Sequence, residues 1–191
     1  SNINQFGALA MAGCGSYSKI EGFGFIPVTC FSQALTTFIG QNLGAKEYDR
    51  AKKGALFGTI CGIGIAEVIG IAVFFFSPYL IAAFGGDQRA IEYGIAEAHT
   101  IALFYCLLAF SHCMAAIQRG AGRSIVPMFV MMIVWCGVRV TYISIVIRII
   151  PVINVIYWAY PLTWFISSVI FLILFLKTDW IHGLEKQGQG A

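Results

Sequence analysis

The sequence predicts an all-α integral membrane helical bundle with about five transmembrane helices. Three observations predict it. Charged residues make up only 11% of the chain and apolar residues 59%, where an ordinary soluble domain carries about 25% charged residues. Mean hydropathy is +0.81. The few charges are also confined to short stretches between long apolar segments, each near the roughly 20 residues that a helix needs to cross the hydrocarbon layer.

The segments follow from the charge map. Residues Gly22–Ala45 contain no Asp, Glu, Lys or Arg, and Gly54–Gly86 contain only Glu67. Ala98–Gln118 carry no such residue but hold His99 and His112. Ser124–Ile147 contain only Arg139, and Ile149–Leu176 none. These gaps place helices at about 5–42, 50–83, 89–119, 123–148 and 152–177. The first two are long enough to tilt or to project into water. The expected organisation is a membrane lobe over 1–178 and a polar tail over 179–191.

The turns alternate in charge. Between the first two helices, "AKEYDRAKKG" concentrates six charged residues in positions 46–53, among them Lys46, Arg50, Lys52 and Lys53. Its Glu47–Arg50 and Asp49–Lys53 spacings are those of ion pairs at a helix start. The next turn, "FGGDQRAIEYG", has Arg89 against Asp87 and Glu92, with Glu97 at its far edge. The third, "QRGAGRSIVP", has Arg119 and Arg123, the fourth has Arg148, and the tail has Lys177 and Lys186. Cytoplasmic loops collect Lys and Arg. One orientation puts eight Lys or Arg inside and two outside, so loop 43–53 and the C-terminus are expected in the cytoplasm and the protein in the plasma (inner) membrane.

Several features mark the interior. Gly54, Gly58, Gly62, Ala66 and Gly70 recur every four residues, a ridge that lets helix backbones approach closely in lipid. Pro27, in "GFGFIP", removes a backbone donor and predicts a kink. Ionisable groups within spans usually face a cavity or a partner. Lys19 and Glu21 lie two residues apart and so point to different helix faces. Glu67 is expected to face other helices, protonated or paired. Arg139 is expected to pair with a carboxylate such as Glu67 or with a helix C-terminus. His112 can titrate near neutral pH. Trp135, Tyr142, Trp158, Tyr160 and Trp164 suit interfacial anchoring, with cation–π binding the second reading.

No catalytic arrangement appears. The "GAG" at 120–122 lacks the phosphate-loop pattern. The six cysteines are scattered singly, without the paired spacing of a metal or disulfide framework. The sequence gives no reason to expect an enzyme, a metal site or a nucleic-acid partner.

Three stretches carry a family likeness. "FSQALTTFIGQNLGAKEYDRAKKG" (Phe31–Gly54), "KIEGFGFIP" (Lys19–Pro27) and "QRGAGRSIVPM" (Gln118–Met128) resemble the eighth helix with its following loop, and the loop between helices ten and eleven, of the multidrug and toxic compound extrusion (MATE) transporters. The resemblance implies twelve helices in two lobes facing a central cavity, with this chain as helices eight to twelve. A chain that opens on Ser1 and holds an odd number of spans fits that expectation of a piece lacking helix seven and the N-terminal lobe. The implied activity is export of cationic drugs or other xenobiotics in exchange for Na⁺ or H⁺, with no cofactor beyond that cation and with membrane lipid and the missing lobe as partners. Candidate ion, proton or substrate residues are Glu21 first, then Lys19, His112, Glu67 and Arg139. Some members carry an acid in helix ten ahead of the Arg119–Gly120 pair. Here that stretch reads "YCLLAFSHC", which leaves His112 or Glu97 as substitutes. The rivals are a flippase for lipid-linked precursors, whose cavity should be strongly cationic, and a non-transporting structural subunit.

The orientation is testable. With a single cysteine placed at Glu47 in a cysteine-free full-length protein, a membrane-impermeant thiol reagent should label only permeabilised cells.

Overall fold

The computed structural model describes residues 2–182; Lys186 and the rest of the expected tail beyond His182 lie outside the described residues. The architecture is all-helical. A short 3₁₀ turn, Asn2–Phe6, leads into α1 (Ala8–Gly44), followed by α2 (Tyr48–Ala82), α3 (Gln88–Ile101), α4 (Tyr105–Gly120), α5 (Ile125–Met131), α6 (Arg139–Ile149) and α7 (Asn154–Lys177). A 3₁₀ turn, Ala102–Phe104, joins α3 to α4, and a π-helical stretch, Met132–Val138, joins α5 to α6. The result is five spans long and apolar enough to cross a membrane: Ala8–Gly44, Tyr48–Ala82, Gln88–Gly120, Ile125–Ile149 and Asn154–Lys177.

The third span is the centre of the bundle. In its most apolar stretch 61% of residues are buried within the protein, against 11–39% in the other four. The outer faces of α2, α5 and α7 expose Phe57, Phe75, Phe76, Phe129, Phe165 and Leu176, as lipid-facing helices should.

Glycine sets the closest crossings. At one end of α1, Gly13 lies against the Ala90 carbonyl, and Gly94 would bring a Cβ within 2.8 Å of the Gly13 carbonyl. At the other end, a Cβ on Gly120 would stand 2.7 Å from the Thr36 carbonyl. These two crossings fix α1 along α3 and α4, and the four-residue ridge on α2 did not signal them. The ridge itself is divided. Gly54 meets the Phe38 ring, Gly58 meets Leu35, and Gly62 meets Cys113 and Phe31. Gly70 meets the backbone carbonyl of Ala102.

The turns close on buried helix ends. After α4, Gly122 takes a left-handed conformation (φ 81°) while Arg123 N–H donates to the Gln118 carbonyl at 2.9 Å. After α1 the same geometry falls on Lys46 (φ 60°), with Glu47 N–H donating to the Asn42 carbonyl at 2.8 Å. These are helix-ending turns of the kind glycine usually supplies. Asp87 caps α3, accepting from the Arg89 N–H at 2.8 Å. The first tail residues fold back. Trp180 is buried and stacks on Phe175, and the Arg123 guanidinium donates to the Asp179 carbonyl at 3.0 Å.

α1 runs as continuous α-helix through Pro27. Among the described residues, 3₁₀ and π geometry interrupt the third and fourth spans at 102–104 and 132–138, where no proline stands.

Backbone contacts rank the glycines. Gly13→Ala and Gly70→Ala press a methyl onto backbone oxygen and should each cost about 1–3 kcal/mol. Gly64→Ala meets open space and should leave stability unchanged or raise it by about 1 kcal/mol. Thermal unfolding of the full-length protein in detergent measures the difference.

Candidate substrate and ion site

α1, α4 and the last two spans build a cavity of about 250 Å³, lined by Ser18, Glu21, Gly22, Phe25, Leu108, Trp135, Arg139, Tyr160 and Trp164. Glu21 supplies the carboxylate and the four aromatic rings supply most of the wall. The π-helical stretch positions the far side. An extra residue per turn re-aims the side chains that follow. Trp135 and Arg139, one turn apart, meet Ser167 and Thr163, one turn apart on α7. The Trp135 indole N–H donates to Ser167 Oγ at 3.2 Å. Arg139 Nη2 donates to Thr163 Oγ1 at 2.7 Å and its Nε does so at 3.2 Å.

Arg139 corrects an expectation. It does not pair with Glu67. Its guanidinium lies 4.2 Å from the Tyr160 ring centre and is hydrogen-bonded to Thr163. It feels the Glu21 carboxylate across the cavity, but among the described residues the only ion pair within 4 Å is Asp179–His182. Lys19 points away from Glu21. Its ammonium sits over the Phe84 ring at 5.4 Å.

Glu67 has a different partner. Its Oε2 accepts the Cys106 backbone N–H at 3.3 Å. In an unbroken helix that N–H would donate to Ala102, whose carbonyl here serves the 3₁₀ turn and accepts from Tyr105. Glu67 and Gly70, three residues apart on α2, therefore brace one break. The first satisfies the freed donor and the second makes room for the displaced carbonyl.

His112 lies half-buried between Phe25, at 4.8 Å, and Trp135, at 5.4 Å, with no partner for its Nε2. It sits beside the cavity wall, next to Ser111, which is hydrogen-bonded to Ser167 at 2.9 Å and Ser168 at 3.1 Å. His99 stacks on Phe74 and its Nε2 meets the Phe74 carbonyl at 3.0 Å. The structure thus brings Glu21 and Arg139 to one cavity, sets His112 at its edge, and keeps Glu67 and Lys19 apart from it.

A second polar cluster lies deeper. Glu97 is 3% exposed and its Oε2 has no hydrogen-bond partner. Cys14 Sγ lies 3.7 Å from the Tyr157 hydroxyl, which donates to the Tyr93 carbonyl at 3.2 Å. Tyr17 and Tyr105 join their hydroxyls nearby at 3.1 Å. Nothing in the sequence around Glu97 distinguishes it from a solvated acid at a helix start. The Gly13–Gly94 crossing buries it.

Glu67 can be tested through its partner. Glu67→Ala leaves a buried N–H unsatisfied and should cost about 1–3 kcal/mol, whereas Glu67→Gln keeps an acceptor and should cost less. Chemical unfolding of both variants in the full-length protein gives the comparison.

A sequence model of the MatE family matches residues 2–145, well over half of the chain. The chain is 30% identical over 130 residues to the "Probable multidrug resistance protein NorM" of Thermotoga maritima, covering 68% of this chain and 28% of that protein. It is 24% identical over 144 residues to the "Probable multidrug resistance protein YoeA" of Bacillus subtilis, covering 73% of this chain and 30% of that protein. A further likeness, at 24% over 122 residues, is to the "Probable multidrug resistance protein YpnP" of Bacillus subtilis, covering 64% of this chain and 27% of that protein. The matched region is therefore under a third of each relative's length. The family match ends inside α6, leaving α7 to be placed by its packing against α4 and α6. Together with the five apolar spans, the match shows that the chain belongs to the MatE family of multidrug and toxic compound extrusion transporters.

Proposed function

We propose that this chain supplies the C-terminal lobe of a secondary antiporter that exports cationic, often aromatic compounds in exchange for Na⁺ or H⁺ by alternating access. The observation that carries the reading is the cavity in which Glu21 stands among Phe25, Trp135, Tyr160 and Trp164. A carboxylate ringed by π-faces suits a flat organic cation, which gains charge pairing and cation–π contact together. Arg139 directs its charge to Tyr160 and Thr163. The cavity is therefore not the strongly cationic one that a carrier of pyrophosphate-linked lipids would need.

Helix seven and the N-terminal lobe would supply the opposite wall of the transport path. The protein would sit in the plasma membrane with loop 43–53 and the C-terminus in the cytoplasm, and His112 would lie along the path beside the cavity. The names of the similar proteins, all multidrug resistance proteins, support the substrate class.

Full-length protein in proteoliposomes should expel ethidium when a Na⁺ or H⁺ gradient is imposed. Glu21→Gln should lower that efflux about tenfold or more, the loss of one charge contact. Efflux that no gradient drives, or that Glu21→Gln leaves unchanged, sinks the reading.

A further inference from the structure

At the end of the bundle that carries loop 43–53, a second cleft of about 520 Å³ opens between α2 and α7. Both helices pack on α4, which gives the cleft its floor, Phe110 and Met114. Leu56 walls it on α2, and Phe175 does so on α7. The chain after α7 closes one end. There Trp180 stacks on Phe175, and the Arg123 guanidinium holds the turn by the Asp179 carbonyl at 3.0 Å. The His182 ring then reaches the Tyr48 ring at 5.2 Å, so the turn bridges α7 to the start of α2.

Two properties of the cleft identify an occupant. The first is its apolar body. Lys52 is the only charged side chain in the lining, and Thr59 Oγ1 already donates to the Ala55 carbonyl at 2.8 Å. The walls continue outward into Leu56, Phe57 and Ile60 on α2 and Leu172, Ile173 and Leu176 on α7, all exposed on the faces that meet lipid. An acyl chain from the bilayer therefore enters sideways without crossing a polar rim. From Lys52 to Thr59 the α2 wall runs about 10 Å, room for the upper part of such a chain.

The second property is the place of the charge. Lys52 lies in the second turn of α2, and among the described residues no carboxylate stands within 4 Å of its ammonium. Basic pockets between membrane helices at the cytoplasmic side suit anionic lipid head groups. A cationic export substrate would be repelled there. The last nine residues, "GLEKQGQGA", offer only Leu184 as a large apolar side chain, a poor match to a cleft of this size.

We propose that this cleft binds one anionic phospholipid, with an acyl chain between α2 and α7 over Phe110 and Met114 and the phosphate at Lys52. The site concerns the lipid around the transporter and not the compound it carries, so it stands or falls apart from the antiporter reading.

Photolabelling tests it. Full-length protein is placed in phosphatidylcholine vesicles containing a trace of phosphatidylglycerol with a diazirine in its acyl chain. After illumination, label should appear in the peptides that contain Leu56 and Phe175. The same diazirine carried on phosphatidylcholine should label them about fivefold less or weaker still. Lys52→Gln should lower labelling by phosphatidylglycerol about fivefold, the effect of one lysine near the membrane surface, and leave labelling by phosphatidylcholine unchanged. Lys52 is exposed, so this variant keeps the fold. Lys53→Gln removes the same charge outside the lining and should have a smaller effect. Equal labelling by the two lipids, or labelling that Lys52→Gln leaves unchanged, identifies ordinary boundary lipid and overturns the proposal. An absence of label from these peptides, as when a protein segment covers the cleft, overturns it too.

Discussion

Lipid offers nothing for a backbone N–H to bond, so any break in a membrane helix has to be repaired from within the protein. That constraint organises this lobe. The most buried span is broken by a 3₁₀ turn at Ala102–Phe104. The repair comes from a neighbour. Glu67 accepts the freed Cys106 N–H, and Gly70 gives the Ala102 carbonyl space. A carboxylate that looks like an ion site from its position in the sequence is thereby a structural acceptor. Because the bracing group is a single side chain on another helix, movement of α2 against α3 and α4 would loosen the break.

The same constraint explains why three acids in similar settings differ so much. Glu67 has a backbone donor. Glu97 has a buried oxygen without a partner. Glu21 borders an open cavity and shares it with Arg139. Burial alone would rank these three residues together, yet their surroundings differ: a backbone donor, an unpartnered buried oxygen and an aromatic-lined cavity.

The spans were legible because lipid makes a coarse demand on composition. Charge gaps of the right length located all five helices to within a few residues, and the Gly54–Gly70 ridge announced a packed face. The interruptions were not legible. The 3₁₀ turn at 102–104 and the π stretch at 132–138 fall in apolar sequence without proline, and the groups that meet them come from other helices: a carboxylate on α2 and hydroxyls on α7. Pro27, the obvious breaker, stands in a continuous helix. The cavity was partly legible, since Glu21 and Arg139 stood out as charges in apolar surroundings. That they share one wall, and that Arg139 ignores Glu67, depends on crossing geometry. Glu97 was the least visible, because its burial is produced by Gly13 and Gly94, which lie in different helices and carry no periodic signal.

The turn after α1 shows two requirements competing for one position. Its backbone takes the left-handed conformation at Lys46, where a side chain costs roughly 1 kcal/mol that glycine would avoid. The equivalent turn after α4 uses Gly122. At 46 the chain keeps an ammonium group in the least comfortable backbone conformation it has, at the head of its densest cationic stretch. Replacing it with glycine would relax the turn and weaken the electrostatic brake on dragging that hairpin through the bilayer, so fidelity of insertion and thermal stability pull this residue in opposite directions.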